Sequence, residues 1–389
     1  MLVIVGMVIL WYGLVPMVGA LVKRYQWFDF RNRFNGLRLH PIMDDKAYWK
    51  HCGKNRDENA GVYRFMGEFD SVTDDHVLWV RNEGLLVPVA LKGAQTYLLP
   101  MQGGETGGQG TDPGEEAPEK IRWERISVLA EGTRVFVGGS LFCNEGRWGF
   151  AAARENPLVV IFYDGPDHSL ATKAIWAGRH RGEYFNLITP YSLIVGALCL
   201  LFIAASFLPR PAFRLTVVVS FVATFIPLFP LMPPGLLFTV AYRRLTWRSR
   251  ILRAYSDLAK LPLHYFAADG DEPPQGRKTL PDGELYGFTY SSELPPEVRD
   301  GKIPLLIPEM ELRPGDSWYI FGAMRPSELL PFRPKDPFAT FGVLPGNPKA
   351  FARRCTAKAY VLETLAWILL VSGIALNIFF LSMVIPMLG

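Results

Sequence analysis

The sequence is poor in the residues from which local chemistry is built. Only four cysteines and six histidines occur in 389 residues. Cys52, Cys143, Cys199 and Cys355 stand far apart with no C-x-x-C pair. That spacing excludes a sequence-local zinc or redox motif and fits a reducing compartment, or a chain with no need of disulfides. His40, His51, His76, His168, His180 and His264 form neither H-x-x-x-H nor H-E-x-x-H, so no two imidazoles share one helix face around a metal. There is no G-x-S-x-G elbow, no kinase-like set and no Asn-x-Ser/Thr sequon. Charge of one sign is scarce as well. Lys and Arg number 41 against 37 Asp and Glu, a net charge of +4, too small for a nucleic-acid partner. These absences set the expectation of no catalytic, cofactor-binding or metal-ligating residues and no cofactor.

What is present is long apolar runs. The first covers residues 2–22, carries no charge and ends at Lys23-Arg24; about 20 helical residues cross a hydrocarbon core of about 30 Å. A cleaved signal peptide has its charges before the run, so this one reads as an anchor. Further runs occupy 191–208, 215–242 and 360–387. The third contains Pro227, Pro230, Pro233 and Pro234, each of which removes a backbone hydrogen bond that lipid cannot replace, and predicts a kinked helix. Four transmembrane helices follow, the middle two as a hairpin.

Basic residues mark one side of these spans. Lys23 and Arg24 follow the first, with Arg31 and Arg33 beyond them; Lys173, Arg179 and Arg181 precede the second. Arg243, Arg244, Arg248, Arg250 and Arg253 follow the third, and Arg353, Arg354 and Lys358 precede the fourth. Only Arg210 and Arg214 lie opposite. Positive flanks resist translocation, which places the soluble parts in the cytoplasm and both termini outside. Binding of a specific anionic lipid or partner is the other reading of the same residues.

Two soluble stretches lie between the spans. Residues 40–185 alternate in short segments such as 76–80 and 134–137 between glycines, the pattern of a small β barrel or sandwich. Gly103 to Glu119 lacks apolar periodicity and reads as a mobile loop; no Gly-Lys-Ser/Thr follows its glycines and its acidic residues would repel a phosphate. The second stretch, 255–350, resembles the first. Glu131-Gly132-Thr133-Arg134-Val135-Phe136-Val137-Gly138-Gly139 leads to Asn156-Pro157 and Asp164-Gly165-Pro166. Likewise Pro314-Gly315-Asp316-Ser317-Trp318-Tyr319-Ile320-Phe321-Gly322 leads to Asp336-Pro337 and Pro345-Gly346-Asn347-Pro348. Common order and spacing predict a unit of span, β domain and span used twice. The fold class is therefore an α+β membrane protein, four transmembrane helices with two tandem small β-rich soluble domains. Trp27, Phe28, Trp176, Tyr184, Phe185, Tyr242 and Trp247 near the boundaries are expected at headgroup depth.

With Glu131 to Gly138 and its flanking spans on view, the unit resembles the GIDE, or beside-a-membrane, domain of mitochondrial E3 ubiquitin ligases and their prokaryotic relatives. The resemblance implies a compact domain held between two transmembrane helices, in a bacterial inner membrane. Ligase activity does not carry over, because that needs a RING module of closely spaced Cys and His.

The remaining candidates are few. Asp74-Asp75-His76 reads as a solvated turn, and His51-Cys52, among charged residues, as an exposed loop and not a nucleophile pair. Glu363 enters the fourth span and Asn377 lies inside it. Such residues are candidates for ion or proton handling, although Glu363 pairing with Lys358 across roughly one turn is the structural alternative. The sequence points to a non-enzymatic scaffold. Its partners are the lipid bilayer and either a protein or a second copy of itself. A transport component using the third and fourth spans is the alternative, and a hydrolase assembled from distant residues the third possibility.

Overall fold

The computed structural model describes residues 2–52, 59–99, 118–122, 125–126, 129–144, 147–179, 186–207, 209–210, 217, 235–266, 277–280, 282–307, 316–325 and 330–384. Helix α1 (Leu2–Ile9) passes through a π-helical turn (Leu10–Leu14) into α2 (Val15–Leu37), and α3 (Asp45–Cys52) follows. Strands β1 (Asn59–Val72), β2 (Val77–Asn82), β3 (Leu85–Ala90), β4 (Gln95–Leu98), β5 (Glu119–Lys120), β6 (Arg134–Asn144), β7 (Arg147–Ala151) and β8 (Val159–Tyr163) precede α4 (Leu170–Trp176) and α5 (Thr189–Phe207). Then come α6 (Gly235–Lys260), strands β9 (Lys278–Thr279), β10 (Leu285–Ser291), β11 (Trp318–Ala323) and β12 (Gly342–Pro345), and α7 (Pro348–Val384).

The chain divides into two compact units. One contains residues 1–28, 179–254 and 354–389; the other contains 29–178 and 255–353. The two soluble stretches of the sequence thus keep separate sheets within a single unit.

Among the described residues, three helical stretches are long and apolar enough to cross a membrane: Val3–Leu37, Thr189–Phe207 and Pro348–Phe380. Most of the expected third span lies outside the described residues, which pick up at α6. Close packing of α5 on the N-terminal helix has a visible cause. A Cβ on Gly196 would stand 2.3 Å from a ring carbon of Tyr12, so glycine alone lets that ring seat, and Tyr12 is the buried residue of the π-turn.

In the second unit, β1, β2, β3, β7 and β6 close into a five-stranded barrel, because β1 pairs with both β2 and β6. The neighbours β3 and β7 run parallel. Numbering the barrel strands by sequence gives the order 1-2-3-5-4-1 with the third and fifth parallel, the connectivity of the Greek-key OB barrel. Strand alternation fills it: Phe65 and Phe69 of β1, Leu78 and Val80 of β2, Val87 and Val89 of β3, and Val135 and Val137 of β6 form one buried cluster. Residues 77–80 and 134–137 are therefore in strands, as their alternation predicts, while His76 belongs to the preceding turn. β8, β4 and β5 extend the sheet from β6; Glu119 belongs to β5, while 103–117 of the expected loop lie outside the described residues. The second sheet is an antiparallel meander in the order β12-β11-β10-β9 over a core of Val298, Ile303, Ile320 and Val343.

Candidate functional site

The outward face of β1 and β6 organises the second unit. Alternation that sends Phe65 inward sends Arg64 outward, and likewise Phe136 and Gly138 on β6. Phe34 and Leu37 at the end of α2 pack here. A Cβ on Gly138 would meet a Leu37 methyl at 3.0 Å. The Phe34 ring stands 5.5 Å from Phe136 and 5.7 Å from Phe338, and Phe136 lies 5.3 Å from Phe338, all edge-on, an arrangement that suits the ring quadrupoles.

Arg64 sits against this aromatic triangle with no exposed side-chain surface, and Asp336 is 1% exposed. Its Nη1 donates to Asp336 Oδ1 at 2.9 Å and its Nη2 to Oδ2, while its Nε donates to the His40 carbonyl at 2.6 Å. The guanidinium lies over the Phe338 ring at 5.1 Å. Asp336 Oδ1 also accepts the Phe338 backbone N–H at 3.0 Å. This is a bidentate, fully desolvated pair, and it joins residues 272 positions apart.

Arg38, just past α2, is equally buried. Its Nη2 donates to the Leu261 carbonyl at 2.7 Å and its guanidinium lies 5.6 Å from the Tyr265 ring centre. Its Nε and Nη1 have no hydrogen-bond partner among the described residues. Burial lowers its pKa. Tyr265 donates to the Phe338 carbonyl and Tyr286 to the Thr340 carbonyl; burial raises both phenols. Two guanidinium groups thus lie buried in this core, Arg64 held by a carboxylate and Arg38 by a backbone carbonyl. The sequence offers only a faint signal for Arg64, a charged residue between Tyr63 and Phe65 in an apolar strand.

The opposite side of the barrel is open. Residues Trp79 and Pro88 are cross-strand partners on the outward face of β2 and β3, flanked by Val77 opposite Ala90 and Arg81 opposite Leu86. Trp79 and Pro88 are half-buried and Leu86 is 42% exposed. Glu68 faces Arg81 across β1, and Asp74, Asp75 and Glu83 stand exposed in the adjoining turns. Asp74-Asp75-His76 is thus a turn between β1 and β2, with His76 at a φ of 61°.

The intramembrane candidates are engaged within the first unit. Glu363 does not pair with Lys358: its Oε2 accepts from Arg253 Nη2 of α6 at 2.5 Å, and its Oε1 lies 3.6 Å from Arg24 Nη2 of α2. Asn377 is buried and its Oδ1 accepts the Gly235 N–H, at the start of α6, at 3.3 Å. Of the basic flanks, Lys23 and Arg24 lie on α2; Arg243, Arg244 and Arg248 are exposed on α6, where Arg250 and Arg253 are half-buried; Arg353, Arg354 and Lys358 are exposed on α7. Arg179 is buried, and Arg181 lies outside the described residues. Trp27 is buried within the protein, and Trp176 meets Tyr255 edge-on at 6.2 Å. Tyr184 and Phe185 lie outside the described residues. His51-Cys52 closes helix α3 where a loop was expected. No group of three or more His, Cys, Asp or Glu among the described residues is placed to hold a metal.

No family model, curated protein or solved structure matches the chain.

Proposed function

We propose that the chain is a membrane-anchored, non-catalytic scaffold, and that a protein partner docks on the outward β2–β3 face of its barrel. The observation that carries this reading is the asymmetry of the barrel. Its β1–β6 face is consumed by α2 and the Phe338 segment, whereas Trp79, Pro88 and Leu86 line a face that nothing described covers. An aromatic beside a proline, rimmed by Glu68, Asp74, Asp75 and Glu83 and with Arg81 on the same face paired to Asp70, suits an apolar segment with basic flanks and disfavours nucleic acid. Glu363 and Asn377 are occupied in helix–helix contacts, which favours a structural role over a transport path for both.

The resemblance to GIDE-type proteins, the placement in a bacterial inner membrane with cytoplasmic soluble parts, the fourth span and the internal duplication belong to the same proposal. For the duplication, two features lend support. The strands β10, β11 and β12 repeat the antiparallel order of β1, β6 and β8. The bridge from Ala323 to Phe332 falls where Ser140 pairs with Ala151 in the first stretch.

The test is site-specific photocrosslinking in native membranes. A photoreactive residue at Leu86 is expected to trap a discrete partner band that disappears when Trp79 is changed to Ala, while the same probe at exposed Lys92 traps none. Equal labelling from both positions, or none from Leu86, removes the scaffold reading.

A further inference from the structure

We propose that Arg24 and Arg253 form a seat for the headgroup of an anionic phospholipid, with Glu363 as the internal acceptor that competes with the phosphate for their guanidinium groups. Three helices supply the residues, α2, α6 and α7. The charge balance is unequal, two cations for one carboxylate, and Glu363 remains 21% exposed. Arg253 is the tightly held member: it donates to Glu363, stacks over the Tyr360 ring at 5.0 Å, and keeps a buried Nε with no hydrogen-bond partner among the described residues. Arg24 is the loose one. Its side chain is 52% exposed and stands at 3.6 Å, ion-pair distance and beyond a good hydrogen bond. Its donors are therefore available to a phosphate, the planar fork of arginine being suited to one.

The surroundings say which phosphate. Leu21, Val22 and Tyr25 on α2 and Tyr360, Val361 and Leu365 on α7 are all exposed, so the charged cluster adjoins two apolar helix flanks. A free inorganic anion has no use for such flanks, whereas a phospholipid presents acyl chains beside its headgroup. Zwitterionic lipid brings its own cation against Arg24, so net negative charge is required. The lipid seat stands whether or not the barrel docks a protein.

Full-length protein in detergent is titrated with phosphatidylglycerol, phosphatidylcholine or inorganic phosphate, and bound lipid is counted by native mass spectrometry. Phosphatidylglycerol is expected to bind, Arg24→Gln to weaken it about tenfold, the size of one lost charge-assisted hydrogen bond, and Arg248→Gln on exposed α6 to leave it unchanged. Glu363→Gln, which releases both guanidinium groups from their carboxylate, is expected to tighten binding. A role in helix packing alone predicts no such gain, so this variant decides the matter if Arg24→Gln fails to fold. Equal binding of phosphatidylcholine, equal loss in Arg248→Gln, weaker binding in Glu363→Gln, or competition by inorganic phosphate at matched concentration each overturns the proposal.

Discussion

Asp336 and Glu363 are the same chemistry in two settings. Asp336 is sealed in the core of the second unit and held through both oxygens by one arginine; Glu363 is partly exposed and divided between two. The difference is solvent. A sealed pair has already lost its hydration, so removal of either partner leaves a bare charge in an apolar site, while a wet pair exchanges its partner for water at little cost. The sealed pair therefore fixes which residues pack together. The wet one can trade partners.

The largest expected effect breaks the sealed pair. Asp336→Ala should lower stability by about 3–5 kcal/mol, read from denaturant unfolding in detergent by tryptophan fluorescence, and the double variant Arg64→Met with Asp336→Leu should recover most of that loss. A simple sum of the two single effects would show that the pair is not coupled.

Next in size is Gly138→Ala, where the added methyl would press on Leu37 at 3.0 Å; overpacking predicts a loss of about 1–3 kcal/mol in the same unfolding curve. Arg38→Met sharpens the comparison from the other direction. Because Arg38 is a buried cation with two nitrogens unfilled, its replacement by an apolar chain of similar length should leave the midpoint unchanged or raise it, opposite in sign to Arg64→Met.

Glu363→Gln should change stability by roughly 0–1 kcal/mol, a difference that salt erases. Smallest is the pH response. Burial above all, and after it the charges of Arg64, Arg333 and Arg38, lower the pKa of His40, His168 and His264 respectively. The unfolded chain then binds more protons than the folded one just below the ordinary histidine pKa of about 6.5, so this contribution is complete above that range and is lost as pH falls through it. His264→Gln should flatten the dependence of the unfolding midpoint between about pH 4 and 6.5; an unaltered slope would place its origin elsewhere.

Elements with a local cause were legible in the sequence. The apolar run behind α1 and α2 and the alternation behind β2 and β6 are written in adjacent residues. Glu363 stood out as a charge in an apolar run, but its partner did not. Lys358 lies five residues away, about 140° around a helix, so the two point apart, and the actual partners come from other helices. Arg64 was harder still: alternation says only that it faces outward, and nothing nearby says that Asp336 arrives to cover that face. For the same reason the two soluble stretches read as separate domains, since the single unit they form rests on contacts between residues hundreds of positions apart.

The separation of Arg64 and Asp336 in sequence, 272 residues, also sets a clock. At roughly 5–20 residues per second of synthesis, on the order of tens of seconds pass between their appearances on the ribosome. The helical segments Thr189–Phe207 and Gly235–Lys260 are made in that interval. The nascent barrel must hold its arginine face open to water or a chaperone for that whole time. Premature release or slow elongation would then strand a half-built unit with an aromatic surface in the open.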